Sequence, residues 1–116
     1  MIKNDITFLI HIQENIEKIE KSLSKINKND FMINEDKQDA NIRRIEVIGE
    51  ATKNLSLELI NRNKFVEWKK IAKTRDKLIH GYFGVDLDLV WDILQKDIPE
   101  LKENINKIIL DLEKEN

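Results

Sequence analysis

The stretch IKNDITFLIHIQENIEKIEKSLSKIN, residues 2–27, decides the fold class. Its large apolar residues Leu9, Ile12, Ile16, Ile19, Leu23 and Ile26 step by 3, 4, 3, 4 and 3. That spacing is the period of an α-helix and puts all six on one seam. The seam is narrow, as it is in a helical bundle or a coiled coil, so this helix needs other helices to cover it.

The rest of the chain reads the same way. Residues 27–35 have turn chemistry, with Phe31, Met32 and Ile33 as a small apolar plug. A second helix is predicted over residues 36–60, its buried stripe marked by Ala40, Ile45, Ile48, Thr52, Leu55 and Leu59. A third, shorter helix covers residues 66–80, and Gly81 and Gly84 loosen the chain after it. Asp86 is a candidate N-cap for the last helix. Its seam runs through Leu87, Val90, Leu94, Ile98, Leu101, Ile105, Ile108 and Leu112. Pro99 interrupts that seam, and Asp97 with Glu100 three residues on resembles a capping box. The apolar register survives across Pro99, so a kink or tight restart is expected there, not a loop. The sum is an all-α bundle of four to five helices in one domain, residues 1–116. Seams of some 25 residues would be about 38 Å long. A second copy of the chain is expected to cover part of that apolar surface, most simply in a two-fold dimer.

Composition removes several function classes. With 41% hydrophobic and 36% charged residues, the chain is too apolar for disorder and too charged for a membrane protein. It has no Cys, which excludes a disulfide scaffold, a thiolate zinc site and Cys-nucleophile catalysis. Three Gly and one Pro supply too few turns for a many-stranded β fold. No apolar run approaches the roughly 18 residues of a spanning helix. The N-terminal stretch carries acids inside its apolar pattern and reads as helix, not as a signal peptide, so the cytoplasm is the expected compartment.

The net charge of −2 hides an asymmetry. Residues 61–80 hold Arg62, Lys64, Lys69, Lys70, Lys73, Arg75 and Lys77 against only Glu67 and Asp76. The segments on either side are acidic. A polyanion would therefore meet one basic segment, although most charge runs of this kind are simply solvated helix faces.

Within that segment, Trp68, Ile71, Ala72, Leu78 and Ile79 form one apolar stripe at 100° per residue, and Arg75 falls in its middle. A guanidinium there needs a partner. Either a bundle acid such as Glu50 pairs with it, or it forms an anion site at a cleft or subunit seam. His80, five residues on, is about 140° around the helix from Arg75. The two meet only if the chain bends at Gly81 or the site spans two subunits. Asp76 shares a face with His80 and could orient its imidazole. His11, among polar residues of the first helix, reads as a surface residue. Arg43 and Glu50 share a face of the second helix, either as an ion pair on a solvated face or as a network positioning Arg75.

One His without neighbouring His or clustered carboxylates makes a poor metal site, and no Gly-rich nucleotide loop is present. Arg75, Asp76, His80 and Tyr82 together suit phosphodiester chemistry without metal or cofactor. A His can take the proton of a ribose 2′-hydroxyl or give one to the leaving oxygen, and an Arg can hold the phosphate.

The string RDKLIHGYFGVD, residues 75–86, resembles the R-[ND]-x-L-x-H-x-Y signature of the HepT-like family in the HEPN superfamily. The resemblance extends to NIRRIEVIGEATKNLS (residues 41–56), to EWKKIAKTRDKLIH (67–80) and to DLDLVWDILQKDIPEL (86–101), in family order. Glu67 departs from the family's usual Pro, which should shift the helix start without touching the site. The resemblance implies a homodimeric HEPN bundle and a metal-independent ribonuclease, the toxin of a type II or type VII toxin–antitoxin pair. Carried over by position, Arg75 and His80 would be catalytic and Asp76 supporting, with Arg43 and Glu50 behind them. The implied partner is a minimal nucleotidyltransferase (MNT) antitoxin that transfers AMP to Tyr82 and silences the toxin. The other reading is a non-catalytic subunit that presents nucleotide or substrate to a nucleotidyltransferase.

Overall fold

The computed structural model describes residues 2–79 and 86–115, without the side chains of Ile2, Lys3, Arg75 and Ile79. Among these residues every regular element is helical, as the seams predict.

The first seam folds into α1, Ile2–Leu23, about 33 Å long. Leu9, Ile12, Ile16 and Ile19 are at most 1% exposed, and Leu23 and Ile26 pack against the core from its edge. The helix stops four residues short of the expected Asn27, because Lys25 adopts φ 69°. That left-handed conformation commonly ends a helix. Residues 27–35 hold more structure than a turn. Asn27 and Asp30 cap each other reciprocally (3.1 and 2.9 Å) and start the short α2, Lys28–Met32. The apolar plug divides: Phe31 is fully buried and packs on Trp91 with ring centroids 5.3 Å apart, whereas Ile33 is 86% exposed.

The long second helix is two helices. The first is α3, Glu35–Lys53, capped by Asn34, and it is followed by α4, Leu57–Arg62. The break comes from α1. Asp5, 1% exposed, accepts the backbone N–H of Ser56 at 2.8 Å and its hydroxyl at 2.6 Å. Ser56 in turn caps α4 by accepting from the N–H of Leu59. Of the expected stripe, Ile45, Ile48, Thr52, Leu55 and Leu59 are buried and Ala40 half-buried. Buried Asn41 donates to the Lys37 carbonyl and the Ser22 hydroxyl and accepts from Arg44, which satisfies its amide and ties α3 to the end of α1.

The next helix is α5, Trp68–Ile79, two residues shorter at its start than expected. Trp68 is buried and its indole N–H donates to the Asn63 carbonyl at 3.0 Å. Asp86 caps α6, Leu87–Asp92, as predicted, accepting from the N–H of Leu89 at 3.1 Å. The restart at Pro99 takes a particular form. A wide turn, Ile93–Asp97, joins α6 to α7, Ile98–Lys114, and in it the N–H of Ile98 donates to the Ile93 carbonyl five residues back. Asp97 does not make the expected capping box: it lies inside the helical path, caps nothing, and its carboxylate reaches Lys70 instead.

The core forms where α1 packs on α3 and α7, α3 on α5, and α2 beside α3 and α6. The residues of the first and last seams are thus covered within one chain, from Leu9 to Ile19 and from Val90 to Leu112. Among the described residues, the expected second copy is not needed to cover these two seams. Among the described residues no helix is long and apolar enough to cross a membrane.

Candidate active site

Arg75 lies on α5, the most basic helix of the chain, with its backbone in the helix and its side chain outside the described residues. His80 and Tyr82 lie outside the described residues, just past the last residue of α5. What the structure places are the helices on either side of them in the sequence, α5 before and α6 after, with α3 packed on α5.

Asp76, on the exposed flank of α5, pairs with Lys53 in the last turn of α3, at 3.7 Å. Both side chains are substantially exposed, so this pair ties two helix ends together only weakly. The sequence reading missed it, because the partner sits 23 positions away on another helix.

Arg43 and Glu50 do lie on one flank of α3, in a shallow groove against α1 of about 240 Å³. Its walls include Phe8 and His11 from α1 and Val47 from α3. Arg43 lies 3.8 Å from Glu46, one turn on. Besides Arg43, the groove is lined by His11, Glu46 and Glu50. His11 is exposed, as expected, yet shares the groove with two of the expected site residues.

On the opposite flank of α3, Ile45 and Ile48 face Ile71, Ile93 and Ile98 across an apolar crevice. It encloses only about 50 Å³. Ligand pockets run to roughly 300–1,000 Å³, so this crevice cannot take a nucleotide. Its rim is closed by Lys70, which reaches both Glu67 and Asp97 at 3.7 Å. Among the described residues no group of three His, Cys, Asp or Glu side chains is arranged to hold a metal ion.

Comparison with known proteins agrees on one family. The model of the ribonuclease HepT-like family matches residues 12–108. A protein of Methanocaldococcus jannaschii, whose name joins gamma-glutamylcyclotransferase to a provisional RNase, is 50% identical over 92% of this chain. The chain spans only 48% of that relative's length. Another protein of M. jannaschii, provisionally named an RNase, is 41% identical over 100% of the chain and 97% of its own length. A protein of Thermococcus cleftensis named "Probable ribonuclease HepT" is 41% identical over 87% of the chain and 92% of its own length. No solved structure matches the chain significantly. With a family model over most of its length and relatives that align nearly end to end, the chain belongs to the HepT-like ribonuclease family.

Proposed function

We propose that the chain is a metal-independent RNA endonuclease in which His80 and Arg75 act on the scissile phosphodiester. In this reading His80 removes the proton of a ribose 2′-hydroxyl. The 2′-oxygen attacks the adjacent phosphorus, the bond to the 5′-oxygen breaks, and the leaving oxygen takes up a proton. Arg75 holds the phosphate bidentately and offsets the charge that builds on it. The observation that carries the reading is the R-x4-H-x-Y string, Arg75, His80 and Tyr82, at the end of a basic helix in a chain of this ribonuclease family.

The same reading makes the chain a toxin that works as a homodimer, with an MNT antitoxin as its partner. Transfer of AMP to the Tyr82 hydroxyl would set a phosphate two residues from His80, where substrate phosphate is to bind. Asp76 would support His80, and Arg43 with Glu50 would act as outlying polar residues behind them.

The test is cleavage of a fluorescent RNA by the purified chain in EDTA. Wild type should cut, and Arg75→Ala and His80→Ala should each lose activity by orders of magnitude with an unchanged helical spectrum. Cleavage that persists in His80→Ala defeats the assignment. If wild type binds nucleotide and a nucleotidyltransferase but never cuts RNA, the non-catalytic subunit is the correct reading. Intact mass after co-expression with an MNT protein should show added AMP in wild type and none in Tyr82→Phe.

A further inference from the structure

The solvent face of α5 carries three lysines that the described part of the chain does not neutralise. Lys69, Lys73 and Lys77 step by four and lie opposite the stripe of Trp68, Ile71 and Leu78. All three are exposed, and none stands in an ion pair or hydrogen bond among the described residues. The nearby acids are already engaged by cations off this ladder: Asp76 by Lys53, and Glu67 and Asp97 by Lys70.

Two features separate this face from an ordinary solvated one. The exposed face of α7 mixes signs, with Glu100, Glu103, Lys107, Asp111, Glu113 and Lys114, as solubility alone would favour. The ladder has one sign only. The helix dipole also argues against it. The first turn of α5 holds Lys69 and Lys70 and no acid, where a cation is disfavoured. Lys77 suits the last turn, but Lys69 is placed against the local field.

We propose that Lys69, Lys73 and Lys77 are a phosphate track that positions a single RNA strand along α5 and leads it to the end of the helix, which His80 follows in sequence. The choice of RNA rests on the ribonuclease reading; the track itself rests on the ladder. The ammonium groups rise about 6 Å per step along the axis, a step comparable to that between phosphates of an extended strand. No aromatic side chain interrupts the ladder, so bases are not stacked there and the contact is independent of sequence.

The test uses the full chain and a labelled oligouridine of about a dozen residues with 2′-O-methyl groups, which binds but cannot be cut. Fluorescence anisotropy is followed from about 50 to 200 mM salt. Replacing all three lysines (K69Q/K73Q/K77Q) should make the log–log salt slope shallower by about 2, from roughly 0.7 per phosphate contact on a single strand. With a cleavable RNA, KM should rise several-fold, by more than kcat falls. The matched triple K18Q/K21Q/K25Q, at the end of α1, removes the same charge and should leave the slope unmoved. A wild-type slope in the ladder variant, or an equal loss in the matched control, overturns the track. Wild type that binds through the ladder yet never cleaves RNA sinks the ribonuclease reading and keeps the track. Wild type that cleaves, with KM unchanged in the ladder variant, sinks the track and keeps the ribonuclease.

Discussion

Asp5 and Ser56, 51 residues apart, are joined by two hydrogen bonds through one buried carboxylate, at 2.8 and 2.6 Å. One of those bonds goes to the backbone N–H at the start of α4 and the other to the hydroxyl that caps it. A side chain of α1 therefore decides where α3 ends and α4 begins.

Removing that carboxylate should be costly. Asp5→Ala leaves the half-buried N–H and hydroxyl of Ser56 without their acceptor, and a loss of about 2–4 kcal/mol is expected. Ser56→Ala removes the cap and one of the bonds and should cost about 1–2 kcal/mol. The double variant should lose less than the two single losses combined, because both act on one network. Urea unfolding of the four proteins measures this, and strict additivity would show that the two residues act separately.

Asp76 offers a test of the site that does not depend on abolishing activity. A carboxylate near His80 would raise the imidazole pKa, and the Lys53 ammonium beside Asp76 would oppose it. Asp76→Asn should move the acid limb of the pH–rate profile down. Lys53→Gln should move it up. Both variants should keep the wild-type helical spectrum. A profile that neither variant moves would leave Asp76 as a helix-to-helix ion pair and nothing more.

Lys28 and Asp88 join α2 to α6 at 2.8 Å. The hydrogen bond and charge of Asp88 hold the Lys28 ammonium above its ordinary value of 10.5. The sign follows from linkage: the folded state keeps this proton longer, so the contribution is whole below 10.5 and fades as pH climbs past it. Both side chains are well exposed, so the effect should be small and should shrink with salt. Thermal melts from pH 9 to 11.5, with Asp88→Asn as the control, should show a steeper alkaline loss in wild type. Parallel curves would mean the pair contributes nothing.

How much of this was legible in the sequence differs from element to element. The α1 seam was legible because its period is local and Leu9, Ile12, Ile16 and Ile19 are all buried, while its end was not, since Leu23 and Ile26 lie only at the core's edge. The Asp86 cap was legible for the same reason. The gap between α3 and α4 was not, since Asn54, Leu55 and Ser56 carry no Gly or Pro and the residue that breaks the helix is Asp5. The capping box expected at Asp97 failed because Lys70, from α5, draws that carboxylate away and the backbone there never leaves the helical region. In the site, the chemistry was read from Arg75, His80 and Tyr82, a string compact enough to need no fold. Lys53 beside Asp76 and Glu46 beside Arg43 lie on another helix and on the next turn, and neither was singled out by spacing.

The wide turn at Ile93–Asp97 has a consequence for how this helix tolerates change in length. Such a turn is an α-helix holding one surplus residue, so the flanking helices already sit in the orientation they would have without it. Removing exposed Gln95 should therefore tighten the turn to ordinary α geometry and leave Val90 and Leu101 pointing inward as before. The same excision in mid-α7, at Glu103, would swing everything beyond it by about 100° and expose Ile105, Ile108 and Leu112. A soluble, cooperatively melting Gln95 deletion beside an aggregating Glu103 deletion is the expected pair, and the reverse would refute it. The turn before Pro99 is thus a reserve of slack, the one place along the final helical rod where a codon can be dropped at little harm to the packing.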